Sequence, residues 1–524
     1  MTKQQLDMIS SAKGGQLPMI AGCGVPFKVI AKKISHLFDS VVLSEFPPEE
    51  EAASLLGYEY ASRYCALPLN EKNGIIRTAM CDPFCVKTIS DIYEITGLKV
   101  EPVYADESDI RFYINKIFDT GRIKEIASQF ESDEKYGFGD LPIHSAPAVR
   151  LVDSLIESAV YNRASDIHIE PAAHEVVTRF RIDGRLVRHQ SFSKELLPNI
   201  VSRIKVLGIM NIAEHRLPQD GHFNMSVRGK PVDFRVSTLP TLYGEKAVIR
   251  LLYDNAVRMK TDELGFFPDD LEILQRLFLN PYGAVFITGP TGSGKSTTLN
   301  SFLTILNDES KNIVTVEDPV ESPIDGVNHV RVAPDAGLVF SNALRGILRQ
   351  DPDIIMIGEI RDAETAKIAM QAAITGHLVL STVHTNDAAG VFTRLVDMHV
   401  EPYLAAAALN GVISQRLVRR ICPHCKYLCP VTAEQARFLP LEEGEDAYDG
   451  RGCNLCGHAG YHGRFAVYEY IVFDEDLREQ LTADRRGSAA VLRANSSVIV
   501  KNGVRNIRAG GTSAAEVIRA LYRP

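Results

Sequence analysis

Short apolar runs alternate with helix-like stretches in the C-terminal half of the chain. The runs cover residues 284–288, 312–317, 353–357 and 377–382. Apolar runs of this length, separated by helical stretches, are typical of a parallel sheet whose two faces are covered by helices. From about residue 261 to residue 524, the pattern therefore predicts one α/β domain.

Two smaller domains that mix helices and strands are predicted upstream. The first covers residues 49–120, with strands expected at 74–80 and 99–104 and helices at 87–96 and 108–118. The second covers residues 146–255, with a helix expected at about 149–162 and strands at 166–170, 175–182, 230–237 and 245–252. Both read as α+β units in which helices and strands share one core.

Two stretches outside these domains have a different character. Residues 121–145 carry many charges and three glycines, and we interpret them as a linker. Residues 1–48 are mixed in composition, and we interpret them as an N-terminal extension with little readable structure.

Composition narrows the class of protein. The formal net charge of the 524-residue chain is −9, which argues against a general nucleic-acid binder, so no nucleic-acid partner is expected. No run of roughly 18 apolar residues is present, and the N-terminus does not read as a signal peptide. We therefore expect a cytoplasmic protein.

A glycine-rich segment follows the first apolar run of the C-terminal domain. Residues 289–296 read GPTGSGKS, which fits the phosphate-binding pattern G-x-x-x-x-G-K-[ST] between a strand and a helix. We expect Lys295 to reach the β- and γ-phosphates of ATP and the Ser296 hydroxyl to bind Mg²⁺. A glycine-rich turn without a ligand is the alternative. The predicted ATP-binding residues are Gly289, Pro290, Thr291, Gly292, Ser293, Gly294, Lys295, Ser296 and Thr297.

Polar residues end the neighbouring predicted strands. Glu317, Glu359 and His384 each stand at such an end, where ligands of parallel α/β sheets bind. An apolar strand that runs into Glu359 is the usual setting for a carboxylate that deprotonates the attacking water. Gly358 stands where many P-loop enzymes carry an aspartate, so contact with Mg²⁺ would run through water or Glu317. A helix-capping role for Glu359 and a structural role for His384 are the alternatives.

Two C-x-x-C pairs suggest a metal site within residues 420–460. Cys422, Cys425, Cys453 and Cys456 have the spacing that places four thiolates on one tetrahedral ion, and such a set selects Zn²⁺. A closed site of four cysteines has a structural role. Four unliganded thiols are the alternative, and Cys429 is interpreted as a bystander.

At this point the sequence resembles the type II secretion and type IV pilus assembly ATPases. Four segments carry the resemblance within the C-terminal domain: 289–298, 314–321, 348–362 and 375–386. Three more lie upstream: 164–171, 216–221 and 233–252. Two departures are visible, because His222 stands where the family usually has arginine and the C-terminal segment is looser than usual.

The resemblance implies a fold and a set of partners. It implies a RecA-like P-loop motor domain with a four-cysteine zinc module, preceded by a PAS-like α+β domain and a small N-terminal α/β adaptor domain. It also implies a homo-hexamer at the cytoplasmic face of the bacterial inner membrane, bound to platform and adaptor proteins. A nucleic-acid-translocating motor and a nucleotide sensor without turnover are the alternative functions.

The resemblance also assigns roles to residues. It makes Glu359 the catalytic base, with Glu317 and His384 assisting around the γ-phosphate. Four arginines are candidates for the cations that neutralise the developing charge on that phosphate. Surface ion pairs are the alternative for all of them. The four are Arg235 and Arg250 in the second domain and Arg345 and Arg349 in the C-terminal domain.

Overall fold

The computed structural model describes residues 39–43, 46–107, 109–114, 117–118, 146–227, 229–253, 259–483 and 489–522. The chain divides into two compact units, Met1–Leu251 with Arg451–Gly460 and Leu252–Gly450 with Tyr461–Pro524. The predicted linker 121–145 and most of the predicted extension 1–48 lie outside the described residues. None of the helices that are described is both long and apolar enough to cross a membrane.

A three-stranded sheet forms the N-terminal part of the first unit. Its strands are β1 (Ala66–Lys72), β2 (Ile75–Met80) and β3 (Lys99–Tyr104), with β1 antiparallel and β3 parallel to β2. Helices α1 (Glu50–Ala53), α2 (Tyr58–Tyr64) and α3 (Val86–Thr96) accompany it. The sequence predicted β2, β3 and α3. It missed β1, whose first four residues are all buried and show no alternation.

A six-stranded sheet forms the rest of the first unit. The strand order is β6-β5-β4-β9-β8-β7, and apolar side chains alternate with polar ones along β5 and β8. One face is therefore buried, and two helices supply further apolar side chains. The elements are α4 (Ala146–Tyr161), β4 (Asp166–Pro171), β5 (Glu175–Ile182), β6 (Arg185–Ser193), α5 (Leu197–Leu207), β7 (Gln219–Val227), β8 (Lys230–Thr241) and β9 (Gly244–Leu252).

A seven-stranded sheet organises the second unit. The order is β12-β11-β13-β14-β10-β15-β18, and every neighbouring pair is parallel except β15 with β18. The strands are β10 (Gly283–Thr288), β11 (Ile313–Glu317), β12 (Asn328–Arg331), β13 (Ile354–Ile357), β14 (Leu378–Val383), β15 (Leu409–Ile421) and β18 (Tyr461–Val472). The four predicted apolar runs are β10, β11, β13 and β14, which confirms the α/β class.

Helices cover both faces of this sheet. Alternate residues of β10 point to opposite sides, so Ala284 and Phe286 join one apolar cluster while Val285 and Ile287 join another. The helices are α6 (Pro268–Leu279), α7 (Lys295–Leu306), α8 (Phe340–Ile347), α9 (Ala363–Ile374), α10 (Ala389–Asp397) and α11 (Pro402–Ala408). Burial on both faces explains why these strands read as continuous apolar runs.

The last part of the second unit packs around β15 and β18. It contains a small hairpin of β16 (Lys426–Pro430) and β17 (Asp446–Gly450), and helices α12 (Ala433–Phe438), α13 (Glu475–Ala483), α14 (Ala489–Ala494), α15 (Ile499–Arg508) and α16 (Ala514–Tyr522). Glu516 of α16 is buried and forms ion pairs with Arg419 of β15 and Arg519 of its own helix. These pairs fix the C-terminal helix to the sheet.

Candidate functional site

The phosphate loop joins β10 to α7, as predicted. Gly289, Gly292 and Gly294 have φ angles of +142°, +75° and +87°, which L side chains rarely adopt. A Cβ at Gly289 would also lie only 2.3 Å from the backbone oxygen of Gln415, so this position accepts no side chain. The loop leaves the Ser296 hydroxyl on an exposed residue in the first turn of α7. Successive N–H groups and the helix N-terminus form an anion-binding site.

Lys295 is the cation of this loop. Its Nζ atom donates hydrogen bonds to the carbonyl oxygens of Gly289 and Pro290, at 2.9 and 3.1 Å. Burial lowers the pKa of Lys295, and the charge of Glu359 opposes that effect. The ammonium group and the predicted base therefore lie close enough to interact electrostatically.

Gln415 supports the phosphate loop from the neighbouring strand β15. Its buried amide donates to the Ser293 carbonyl oxygen at 2.8 Å and accepts from the Thr298 hydroxyl at 3.1 Å. One side chain thus connects the loop and the first turns of α7 to β15. The sequence gave no local signal for this residue, because it lies 122 positions beyond Ser293.

Glu317 ends β11 in a buried polar cluster. Its Oε1 atom accepts a hydrogen bond from the Thr315 hydroxyl at 2.6 Å and lies 2.8 Å from Nδ1 of His329. A Cβ added at Gly358 would lie 3.7 Å from Cγ of Glu317. Glu317 therefore lies beside the position where many P-loop enzymes carry an aspartate.

Glu359 follows β13, the strand next to β11, and its side chain is 16% exposed. Arg361 forms an ion pair with one carboxylate oxygen, and Nε2 of His384 lies 3.6 Å from the other. The pairing raises the pKa of the Arg361 guanidinium. The structure thus brings the predicted pair Glu359 and His384 together and adds Arg361, which sequence reasoning missed although it stands two positions from Glu359.

The segment that carries His384 is fixed to the phosphate-loop strand. The Thr288 hydroxyl donates towards the Val383 carbonyl oxygen at 3.0 Å and accepts from the Thr385 backbone N–H at 2.9 Å. The two threonine hydroxyls are 2.7 Å apart. These hydrogen bonds join the end of β10 to the end of β14. The position of His384, which follows β14, is therefore linked to that of the phosphate loop with Lys295, which follows β10.

The candidate arginines of the six-stranded sheet lie on β8 and β9. Arg250 pairs with the buried carboxylate of Asp166 at 2.9 Å, while its own side chain is 64% exposed. Arg235 is partly exposed and opposes His222 in the strand register. Among the described residues, Arg235 has neither an ion pair nor a side-chain hydrogen bond.

The candidate arginines of the second unit are at the end of α8. Arg345 forms an exposed ion pair with Glu364 at 2.5 Å. The spacing of four residues between Arg345 and Arg349 predicts that both lie on one face of a single helix, but that prediction is wrong because α8 ends at Ile347, before Arg349. Arg349 lies in the turn that follows and donates to the Arg345 carbonyl oxygen at 2.8 Å. The helix ends early because the chain turns there towards β13.

The four predicted cysteine ligands converge. The Sγ atoms of Cys422, Cys425, Cys453 and Cys456 all lie within 4.8 Å of one another, and Cys429 is not in the group. The Sγ atoms of Cys453 and Cys456 are 3.7 Å apart, close to the ~3.8 Å edge of a tetrahedron with Zn–S bonds of about 2.3 Å. Backbone N–H groups of Cys453 and Gly460 approach the Cys456 sulfur at 3.2 and 3.3 Å. This donor set fits a structural Zn²⁺ ion.

Comparison with known proteins gives two family matches. The sequence model described as Type II/IV secretion system protein matches residues 143–519. The model described as MshEN domain matches residues 24–123, a range that includes the predicted adaptor domain.

Individual relatives agree with these matches. The type IV pilus assembly ATPase PilB of Thermus thermophilus is 42% identical over 89% of this chain, which spans only 53% of that protein. The type II secretion system ATPase E of Vibrio cholerae is 37% identical over 90% of this chain and 98% of its own length. The crystal structure of the Legionella pneumophila ATPase DotB has a TM-score of 0.52 and 23% identity, over 70% of this chain and 93% of its own, which shows a shared fold.

Proposed function

The chain belongs to the family of type II/IV secretion system proteins and is a P-loop ATPase, and we propose that it powers the assembly of a type IV pilus or a type II secretion pseudopilus. One observation carries the proposal. Lys295, Glu317, Glu359 and His384 all stand at the carboxyl edge of four adjacent parallel strands. Ligands of open α/β sheets bind at this edge.

The chemistry follows from these positions. Lys295 and the loop N–H groups hold the phosphates in place. Glu359 orients a water molecule and accepts its proton as the water attacks the γ-phosphorus in line, while the bond from that phosphorus to the β,γ-bridging oxygen breaks and ADP leaves. Ser296, and Glu317 through a water molecule, would hold Mg²⁺, which would neutralise charge on the β- and γ-phosphate oxygens. His384 supports Glu359 from the neighbouring strand end.

We propose that arginine side chains neutralise the negative charge that develops on the γ-phosphate oxygens during hydrolysis. We assign this role to Arg235 and Arg250, with Arg345 and Arg349 as further candidates, because an arginine finger contributes roughly 10³-fold or more to phosphoryl transfer. Alanine at Arg235 or Arg250 should reduce turnover steeply while ATP affinity changes little. Near-normal turnover in both variants, measured on assembled protein, would leave Arg250 as a structural ion-pair residue of Asp166 and would remove Arg235 from the chemistry.

The assembly around the ATPase forms a second part of the proposal. It is a homo-hexamer at the cytoplasmic face of the inner membrane, in which residues 1–120 bind a membrane-anchored partner and Cys422, Cys425, Cys453 and Cys456 hold Zn²⁺. The C-terminal segment departs from the family's usual pattern, and on that ground we favour the pilus over the secretion system. Deleting residues 1–120 should leave nucleotide binding intact and release the protein from membranes.

The proposed function is tested by replacing the chromosomal gene with one that encodes the Lys295→Ala variant. The variant should abolish ATP turnover in the purified protein and abolish either surface pili or the export of secreted enzymes in the cell. Loss of pili with normal secretion supports the favoured machine, and the reverse supports the other. ATP hydrolysis that depends on added DNA, together with salt-sensitive DNA binding, would replace the proposal by a nucleic-acid motor.

A further inference from the structure

The cluster around Glu317 contains a histidine to which the chemistry proposed above gives no task. His329 lies on β12 directly opposite Thr315 of β11, in a parallel register. Thr315 and Glu317 are two residues apart on β11, so their side chains share one face of the sheet with His329. Thr315 is fully buried, and the side chains of Glu317 and His329 are each 11% exposed.

The hydrogen bonds of His329 fix its tautomer. The Ile324 backbone N–H donates to Nε2 at 3.0 Å, and a backbone N–H can act only as a donor. Nε2 must therefore carry the lone pair, so the neutral ring carries its proton on Nδ1. That proton faces two acceptors, Oε1 of Glu317 at 2.8 Å from Nδ1 and the Thr315 hydroxyl oxygen at 2.9 Å. The assignment follows from the geometry of the bonds, since no hydrogen position is observed directly.

Two donors therefore act on one oxygen of Glu317. The Thr315 hydroxyl donates to Oε1 at 2.6 Å, and Nδ1–H of His329 is shared between the same Oε1 atom and the Thr315 hydroxyl oxygen. With Oε1 held in this way, the carboxylate cannot rotate freely, and Oε2 stays available to a water molecule or an ion at the sheet edge. A ligand carboxylate that is oriented by a hydrogen-bonded neighbour is a recurrent arrangement at metal sites.

We propose that His329 is a positioning residue that holds Glu317 in the orientation required for ATP hydrolysis. It acts through the Glu317 carboxylate. Its second hydrogen bond, accepted from the Ile324 backbone N–H, joins that orientation to the segment that follows β11. The inference rests on the proposed role of Glu317 in the same reaction.

Substitutions of His329 separate positioning from packing. In His329→Asn, a side-chain amide N–H replaces Nδ1–H. In His329→Leu, an apolar side chain fills much of the space of the ring, and the hydrogen-bond donor is lost. We expect kcat to fall about tenfold in His329→Leu and no more than about threefold in His329→Asn, with the ATP Kd within about twofold in both, because one missing orienting neighbour typically costs 10–100-fold. His399→Asn, at an exposed histidine at the end of α10, is the control and should match the wild type.

A double-mutant cycle shows whether the effect passes through Glu317. If it does, His329→Leu combined with Glu317→Gln loses no more kcat than Glu317→Gln alone, because residues that act as a unit are not additive. Losses that multiply, or an unchanged kcat in His329→Leu, overturn the inference. Should His329→Leu not fold, the cycle is run with His329→Phe, which also lacks the donor, and Glu317→Gln, and losses that multiply again overturn the inference.

Failure of the inference on His329 can be distinguished from failure of the proposed function. Full activity of Glu317→Gln removes the role of Glu317, and the inference with it, while leaving the ATPase intact. Absence of ATP hydrolysis in the wild-type protein, in every assembly state, contradicts the proposed function itself.

Discussion

Glu359 and Glu516 are both carboxylates paired with arginine, but they lie in contrasting surroundings. The Glu359 side chain is 16% exposed and its partner Arg361 is 68% exposed. Glu516 is 3% exposed, and its two partners Arg419 and Arg519 together occupy both of its oxygens. Arg419 also lies 4.0 Å from the ring centroid of Tyr461.

The comparison shows that an arginine partner alone does not mark a functional carboxylate. Both carboxylate oxygens of Glu516 accept hydrogen bonds from arginine, and the bond from Arg419 holds α16 on β15. Glu359 has one arginine, a histidine at 3.6 Å and the nearby charge of Lys295, and it keeps acceptor capacity for a water molecule. Glu359, the catalytic candidate, differs from Glu516 because its carboxylate can still accept a hydrogen bond from water at the edge of the parallel sheet.

The largest expected effect is the loss of ATP hydrolysis when the Glu359 carboxylate is replaced. Glu359→Gln should lower kcat by about 10³-fold, since general bases typically contribute 10²–10⁴-fold, while nucleotide affinity and Tm stay near the wild-type values. Phosphate release and nucleotide binding are measured separately on the same preparation. Retention of more than about a tenth of the activity would remove Glu359 as the base.

Glu516 should show the opposite pattern. Glu516→Gln leaves two arginines against a neutral amide, one of them buried, so we expect the free energy of unfolding to fall by about 3 kcal/mol. The kcat per folded molecule should remain within about twofold of the wild type. Urea unfolding is the measurement, and Glu364→Gln, which breaks an exposed pair, is the control that should show no measurable loss of stability. Equal losses in the two variants would contradict the contrast.

Acid titration sharpens the same contrast. Burial raises the pKa of Glu516, but hydrogen bonds from Arg419 and Arg519 outweigh it and lower the pKa from 4.5 to about 2. A depressed folded-state pKa stabilises the protein above the unfolded value of 4.5, and this stability is lost as pH falls towards 2. Between these values the wild type should lose about 3 kcal/mol more than Glu516→Gln. Parallel pH profiles of the two proteins would contradict the assignment.

The smallest expected effect concerns the cysteine cluster. Cys453→Ser should remove the bound zinc and lower Tm by roughly 5 °C, with kcat per folded molecule unchanged, because a closed site stabilises the fold without joining the chemistry. Cys429→Ser is the matched control, since Cys429 lies outside the cluster. Zinc content near zero in the wild type, with freely reactive thiols, would rule out the metal.

The sequence predicted the parts of the molecule that depend on local pattern. The apolar runs of β10, β11, β13 and β14 are buried on both faces and could be read directly, and Glu317 and Glu359 followed from their ends. The strand β15 was missed because it reads LNGVISQRLVRRI, in which Arg419 is buried against Glu516, 97 positions away. No pattern within the strand indicates that distant partner.

The supporting residues of the site were missed for the same reason. His329 is opposite Thr315 only because β12 pairs with β11 in one register, and Gln415 reaches Ser293 only because β15 pairs with β10. Thr288 meets Thr385 through the pairing of β10 with β14. Residues that touch nucleotide stand in recognisable motifs, whereas residues that hold them depend on strand order.

The position of Gln415 has a consequence for the way the chain is made on the ribosome. Ser293 is synthesised 122 residues before Gln415, and at 5–20 residues per second this interval lasts on the order of ten seconds. During that time β10 lacks its neighbour β15, and until residue 383 is made it lacks its other neighbour β14 as well, so the Ser293 carbonyl group of the nascent phosphate loop lacks its Gln415 partner. We therefore expect nucleotide to stabilise this protein only late in its synthesis, and chains arrested before residue 409 to bind no ATP.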